Sequence, residues 1–78
     1  MISVVRTRYL INEYGEVDKK AQAKISFYRL DLNNIEELLR YERLMHPKAK
    51  VRVDYDRGVP YIRISGAYYR EEIRIRKQ

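Results

Sequence analysis

The stretch "VRVDYDRGVPYIRIS", Val51 to Ser65, decides the fold. Val51, Val53 and Tyr55 alternate with Arg52 and Asp54, and after a turn Ile62 and Ile64 alternate with Tyr61, Arg63 and Ser65. A period of two is the mark of a strand with one buried face. "DRGVP" between the two runs reads as a hairpin turn, because glycine at position 58 takes positive φ without a Cβ penalty. Pro60 is tolerable at a strand start but not in mid-sheet. Lys50 and Arg52 before the turn, and Arg63 after it, would then stand on the open side of neighbouring strands.

Further along the chain, Gly66-Ala67 marks another turn, and Ile73 and Ile75 oppose Glu72, Arg74 and Arg76 in a further strand. Upstream, "DLNNIEELLRYERLMHP", Asp31 to Pro47, reads as a helix. Asp31 or Asn33 can cap its start, and Glu36 lies three residues after Asn33 as in a capping box. Glu36 and Glu37 favour the positive end of the helix dipole. Pro47 ends the helix by pushing the preceding residue out of helical geometry. Ile35, Leu38, Leu39 and Met45 form the expected core stripe. Tyr41 and Leu44 widen that stripe, for contact with a loop, the terminal strand or another subunit.

At the N-terminus, Val5, Thr7, Tyr9 and Ile11 alternate with Arg6 and Arg8. Ala23, Ile25 and Phe27 alternate with Lys24, Ser26 and Tyr28. These are two more strands, joined as a hairpin through "NEYGEVDKK". The expected order is β-β-α-β-β-β. One helix covers one face of a sheet, so the expected fold is α+β: two layers, with a mostly antiparallel sheet of four or five strands and one helix on its apolar face.

The 78 residues bound the chain to a single small domain, residues 1–78. A core of that size is marginal alone. There is no cysteine, which removes disulfides and thiolate metal sites and suits a cytoplasmic protein. Arg6 and Arg8 interrupt "MISVVRTRYLI" too early for a secretory apolar region, and no apolar run approaches a membrane span.

The net charge is +6, and its distribution is uneven. Residues 1–39 carry six basic and six acidic side chains, whereas residues 40–78 carry the remaining eleven basic and five acidic ones. Such asymmetry suits a directed field. A charge-rich surface of thermophilic type has the same composition. With all five strands in one sheet and the apolar positions beneath, the outward set is Arg6, Arg8, Lys24, Ser26, Tyr28, Lys50, Arg52, Asp54, Tyr61, Arg63, Ser65, Glu72, Arg74 and Arg76. Like charges on adjacent strands repel, and a polyanion offsets that cost. Arginine bonds phosphate oxygens bidentately, and an aromatic among cations can stack on an unpaired base.

The expected function is therefore nucleic-acid binding, to DNA or RNA, in a regulatory or architectural role. The expected contacts are Arg6, Arg8, Lys50, Arg52, Tyr61, Arg63, Arg74 and Arg76. No cofactor and no metal is expected, and a homodimer is a further expectation. Two other readings stand beside it: a protein-interaction module acting through the helix and an exposed strand edge, and a metal-free ribonuclease.

Candidate chemistry elsewhere is sparse. His46 is the only histidine and sits where a helix C-terminus favours an imidazolium. Asp54 and Asp56 can hold a divalent cation with Glu71 or Glu72, or bond their own backbone at the turn. No phosphate-cradling glycine loop or nucleophile elbow is present.

The segment "GVPYIRISGAYYREEIRI" resembles the end of small basic ribonuclease toxins of the RelE/ParE type, which also finish in arginine-bearing strands joined by a glycine turn. The resemblance implies Arg63, Tyr68, Tyr69 and Arg70 as residues of interest. It covers under a quarter of the chain, and upstream those toxins have a strand and a helical hairpin, where this chain has two strands and one helix.

Overall fold

A computed structural model describes residues 1–18 and 20–76. It contains strands β1 (Ile2–Leu10) and β2 (Lys24–Leu30), helix α1 (Ile35–Met45), then β3 (Lys50–Asp56), β4 (Val59–Ser65) and β5 (Tyr69–Ile75). All five strands form one antiparallel sheet in the order β2-β1-β5-β4-β3. The α+β expectation and the order β-β-α-β-β-β hold. The chain returns to pair β5 with β1, so its first and last strands lie side by side inside the sheet.

Local chemistry explains the boundaries. Asn34, one residue beyond the expected caps, is the N-cap of α1, and its side chain accepts a hydrogen bond from the Glu37 backbone N–H at 3.0 Å. Glu37 in turn accepts from the Asn33 N–H at 2.9 Å, so the capping exchange is shifted by one residue from the expected Asn33–Glu36 pair. Between β3 and β4 only Arg57 and Gly58 form the loop, with φ of 53° and 80°. Two consecutive positive φ values suit the right-handed twist of a hairpin. Gly66 is required for space: a Cβ there would lie 2.2 Å from the Tyr69 ring.

The helix packs on β3 and β4, and the fully buried core is Val4, Leu38, Val51, Ile62, Ile64 and Ile73. Every strand except β2 contributes to that set. Met45 departs from the expected core stripe: it is 60% exposed, and the inward position one turn before the helix end belongs to Glu42, which is wholly buried. Leu44 is 81% exposed and lies outside the core.

Glu42 is buried because Arg6 comes to meet it. The Arg6 guanidinium bonds Glu42 Oε1 through Nη2 and Glu71 Oε2 through Nη1 at 2.7 Å, while its Nε donates to the Tyr28 hydroxyl at 2.9 Å. Arg8 stands beside it, 3.8 Å from Glu71 and with its guanidinium 4.3 Å from the centre of the Tyr69 ring. His46 Nε2 lies 3.8 Å from Glu42 Oε2, and its Nδ1 lies 3.3 Å from the Tyr69 hydroxyl. The network ties α1 to β1, β2 and β5.

This network reverses the expected facing of two strands. With Val4 in the core and Arg6 and Arg8 toward the helix side, Val5, Thr7 and Tyr9 face the uncovered side. β2 follows its partner: Tyr28 and Leu30 pack on the core, and Ile25 and Phe27 face outward, 59% and 63% exposed. Arg6, Arg8, Lys24, Ser26 and Tyr28 therefore do not join the outward set. The reason is physical: an arginine can point inward when two carboxylates await it, and those arrive from residues far along the chain.

Burial alone would lower the Arg6 pKa, but the hydrogen bond to Glu71 and the charge of Glu42 more than reverse this, and the group stays firmly protonated. Burial pushes the Tyr28 phenol up, against the opposing pull of Arg6. Replacing Arg6 would leave two buried carboxylates without their cation, which costs about 3–5 kcal/mol. For Arg6→Leu we expect a loss of that order in urea unfolding, and for Arg6→Leu combined with Glu42→Leu and Glu71→Leu a recovery of most of it.

Candidate nucleic-acid interface

The face opposite the helix has two chemically distinct halves. Its rows can be read across the sheet from the pairing register. One row runs Phe27, Val5, Arg74, Tyr61, Asp54 from β2 to β3. The next runs Ile25, Thr7, Glu72, Arg63, Arg52. A third places Tyr9, Arg70, Ser65 and Lys50 side by side. The β2–β1 half is thus mainly apolar, and the β5–β4–β3 half is strongly charged.

Six cations stand on the charged half: Lys50, Arg52, Arg63, Arg70, Arg74 and Arg76, the last just past the end of β5. Three acids accompany them: Asp54, Asp56 and Glu72. The acids are not spread evenly. Arg74 lies 3.0 Å from Glu72 and 3.5 Å from Asp56, and its guanidinium covers the Tyr61 ring at 4.0 Å. Arg63 pairs with Asp54 at 3.4 Å. Arg76 sits over the Phe27 ring at 4.9 Å, bridging the two halves. Among the described residues, Lys50, Arg52, Arg70 and Arg76 make no ion pair.

The most concentrated positive charge is therefore at the Lys50 end of β3. Arg52 lies directly opposite Arg63, and Lys50 and Arg70 flank Ser65 in the adjacent row. Opposed like charges on neighbouring strands are destabilising in the free protein. Glu72 is the one acid within those two rows, and it is held by Arg74.

Of the residues expected from sequence, Lys50, Arg52, Arg63, Arg74 and Arg76 come together on this face. Tyr61 shares it but is only 7% exposed beneath Arg74, so its ring is shielded from stacking on a base. Tyr28 is on the helix side with Arg6. Arg6 and Arg8 are separated from the patch by the sheet itself. Arg70 and, on β2, Arg29 are the outward cations that the expected set missed. For Arg70 the signal was present: the alternation Glu72, Arg74, Arg76 extends back two residues to it.

The alternative sites resolve differently. Asp54 and Asp56 each pair with an arginine, Glu71 is on the opposite face against Arg6, and among the described residues no group of three or more His, Asp or Glu side chains is placed to hold a metal ion. The four residues of the toxin resemblance do not share a surface. Arg63 and Arg70 face the uncovered side, Tyr69 faces Arg8 and His46, and Tyr68 is exposed at the turn. Among the described residues no helix is long and apolar enough to cross a membrane.

The backbone N–H of Tyr55 bonds the Asp54 carboxylate at 2.8 Å and, with help from Arg63, holds it below the usual aspartate range. A lowered folded-state pKa stabilises above the unfolded value, and that contribution disappears as pH falls through the folded one. We expect the Asp54 carboxyl resonance to titrate below that of a free aspartate, and Arg63→Ala to move it partway back. No family model matches this chain, and no curated protein or solved structure matches it.

Proposed function

We propose that the protein binds nucleic acid through the uncovered face of β3, β4 and β5, gripping the phosphate backbone with the cluster of Lys50, Arg52, Arg63 and Arg70 around Ser65. The observation that carries this reading is the opposition of Arg52 and Arg63, flanked by Lys50 and Arg70, with a single acid in the same two rows. A protein that only needed solubility would gain nothing from facing arginines on adjacent strands. A run of phosphates relieves the repulsion and accepts the bidentate geometry of the guanidinium fork.

The surface favours backbone contact over base reading. The cluster is carried by strands, and Tyr61, the outward tyrosine of β3–β5, is covered by Arg74. Arg74, already paired with two carboxylates, acts at the rim of the patch, where its partners limit the charge it presents. Phosphate contacts fix position without specifying sequence.

Fluorescence anisotropy against duplex DNA, single-stranded DNA and RNA over a salt series tests the reading. Log affinity should fall linearly with log salt, and Arg52→Ala and Arg70→Ala should each reduce the slope by about one. Arg40→Ala, on the exposed side of the helix, should leave the slope unchanged. A flat salt response for all three ligands overturns the proposal.

A further inference from the structure

The two edges of the sheet are not equivalent. At β3, the helix packs alongside, Arg43 Nε donates to the Val51 carbonyl at 3.2 Å, and the Tyr55 N–H is taken by Asp54. Charged residues and side chains bonded to edge backbone are how a sheet protects an edge from further pairing. At β2 the only charged residues are Lys24 and Arg29, near its two ends. Among the described residues, no side chain bonds the β2 backbone, the helix packs on the other side of the sheet, and Ile25 and Phe27 are exposed.

We propose that β2 is the self-association edge, and that its occupant is the β2 strand of a second copy of this chain, paired antiparallel about a two-fold axis. The strand is self-complementary. Pairing all seven residues of Lys24–Leu30 with their copies allows one register, with Phe27 opposite Phe27 on the axis. Ser26 then faces Tyr28, Ile25 faces Arg29, and Lys24 faces Leu30. No like charges stand directly opposite each other, and every pair lies on a common face, so the sheet continues without a break.

The competing pairings are worse. Head-to-tail joining of β2 to β3 fails on facing, because even-numbered residues of β2 and odd-numbered residues of β3 point to the helix side. End-to-end alignment of these two strands would set helix-side positions against uncovered ones, and a one-residue slip is needed to repair it. Pairing β3 with its own copy would set Lys50 opposite Asp56 and Arg52 opposite Asp54, which is favourable. It would also displace Arg43 from Val51 and Asp54 from the Tyr55 N–H, and draw Asp54 and Asp56 away from Arg63 and Arg74.

Joined through β2, the two sheets become one, with Phe27, Ile25 and Val5 of both copies as its apolar centre and the charged halves as its two wings. The pairing supplies partners for the free β2 backbone groups and brings the exposed apolar side chains of the two copies into contact. It stands independently of any anionic ligand.

The test uses the full chain in light scattering across a dilution series from micromolar to near-millimolar protein. The expected result is a two-chain mass that dissociates on dilution. Phe27→Lys should weaken association by about thirtyfold or more while leaving the far-ultraviolet circular dichroism unchanged. Because the chain has no cysteine, a single introduced thiol gives a second readout that does not depend on weakening the interface. Residues facing each other on a strand pair have Cα atoms about 4.5–5.5 Å apart, within disulfide range. Phe27→Cys should therefore form a covalent dimer on mild oxidation, and Val53→Cys, the axis position of a β3 pairing, should not. A one-chain mass throughout the series, a dimer that survives Phe27→Lys, or cross-linking of Val53→Cys in place of Phe27→Cys overturns the proposal.

Discussion

The ion cluster of Arg6 with Glu42 and Glu71 governs this fold. It fixes which way β1 faces, and β1 is the strand that joins β2 to β5. Once Arg6 points toward the helix, Val5 and Thr7 must face the other side, and β2 must turn Ile25 and Phe27 outward to match. The apolar half of the uncovered face is thus a consequence of a polar contact on the covered one. Isolated, such a buried arginine or glutamate would be prohibitively costly; together, with the Tyr28 hydroxyl completing the set, they satisfy one another. One atom remains exceptional. Glu42 Oε2 has no hydrogen-bond partner and looks toward His46 at 3.8 Å.

The two roles proposed for the open face would rest on different forces. Binding at the charged β3–β5 half would depend on ionic strength. Pairing at the apolar β1–β2 half would rest on removal of apolar area from water, which added salt does not screen. Arg76, over the Phe27 ring, belongs to both. A small chain has few surfaces to spare, and the charged patch and the proposed pairing edge occupy different strands of one sheet.

The second half of the chain was legible in the sequence. Val51, Ile62, Ile64 and Ile73 fall on a strict period of two and are all in the core, and the Arg57–Gly58 turn sits where the glycine indicated. These strands are covered by the helix, so a hydrophobic pattern reports their facing directly. β1 and β2 defeated the same reasoning. Both of their faces carry apolar residues, since Val4 and Val5 are adjacent, and the tie is broken by Glu42 and Glu71, which lie more than thirty residues downstream of Arg6. Periodicity within a strand cannot register a partner supplied by another element. The same limit explains Met45: helical spacing placed it on the core stripe, but the inward position was taken by the carboxylate that Arg6 requires. Lys50, Arg52, Arg63, Arg74 and Arg76 share a face because they lie on or just beyond β3, β4 and β5, whereas Arg6 and Arg8 turn to the other face with the strand that carries them.

The buried cluster also sets how the fold responds to heat. Charged groups are hydrated with a large loss of entropy, so their affinity for water declines on warming and the penalty for dehydrating them shrinks. Such groups tie the helix to β1 and β5, while its closest backbone approach is to β3 and β4. Warming therefore reinforces one side of the helix seat relative to the other, and the molecule is pinned at elevated temperature by the very residues that make its assembly costly in the cold.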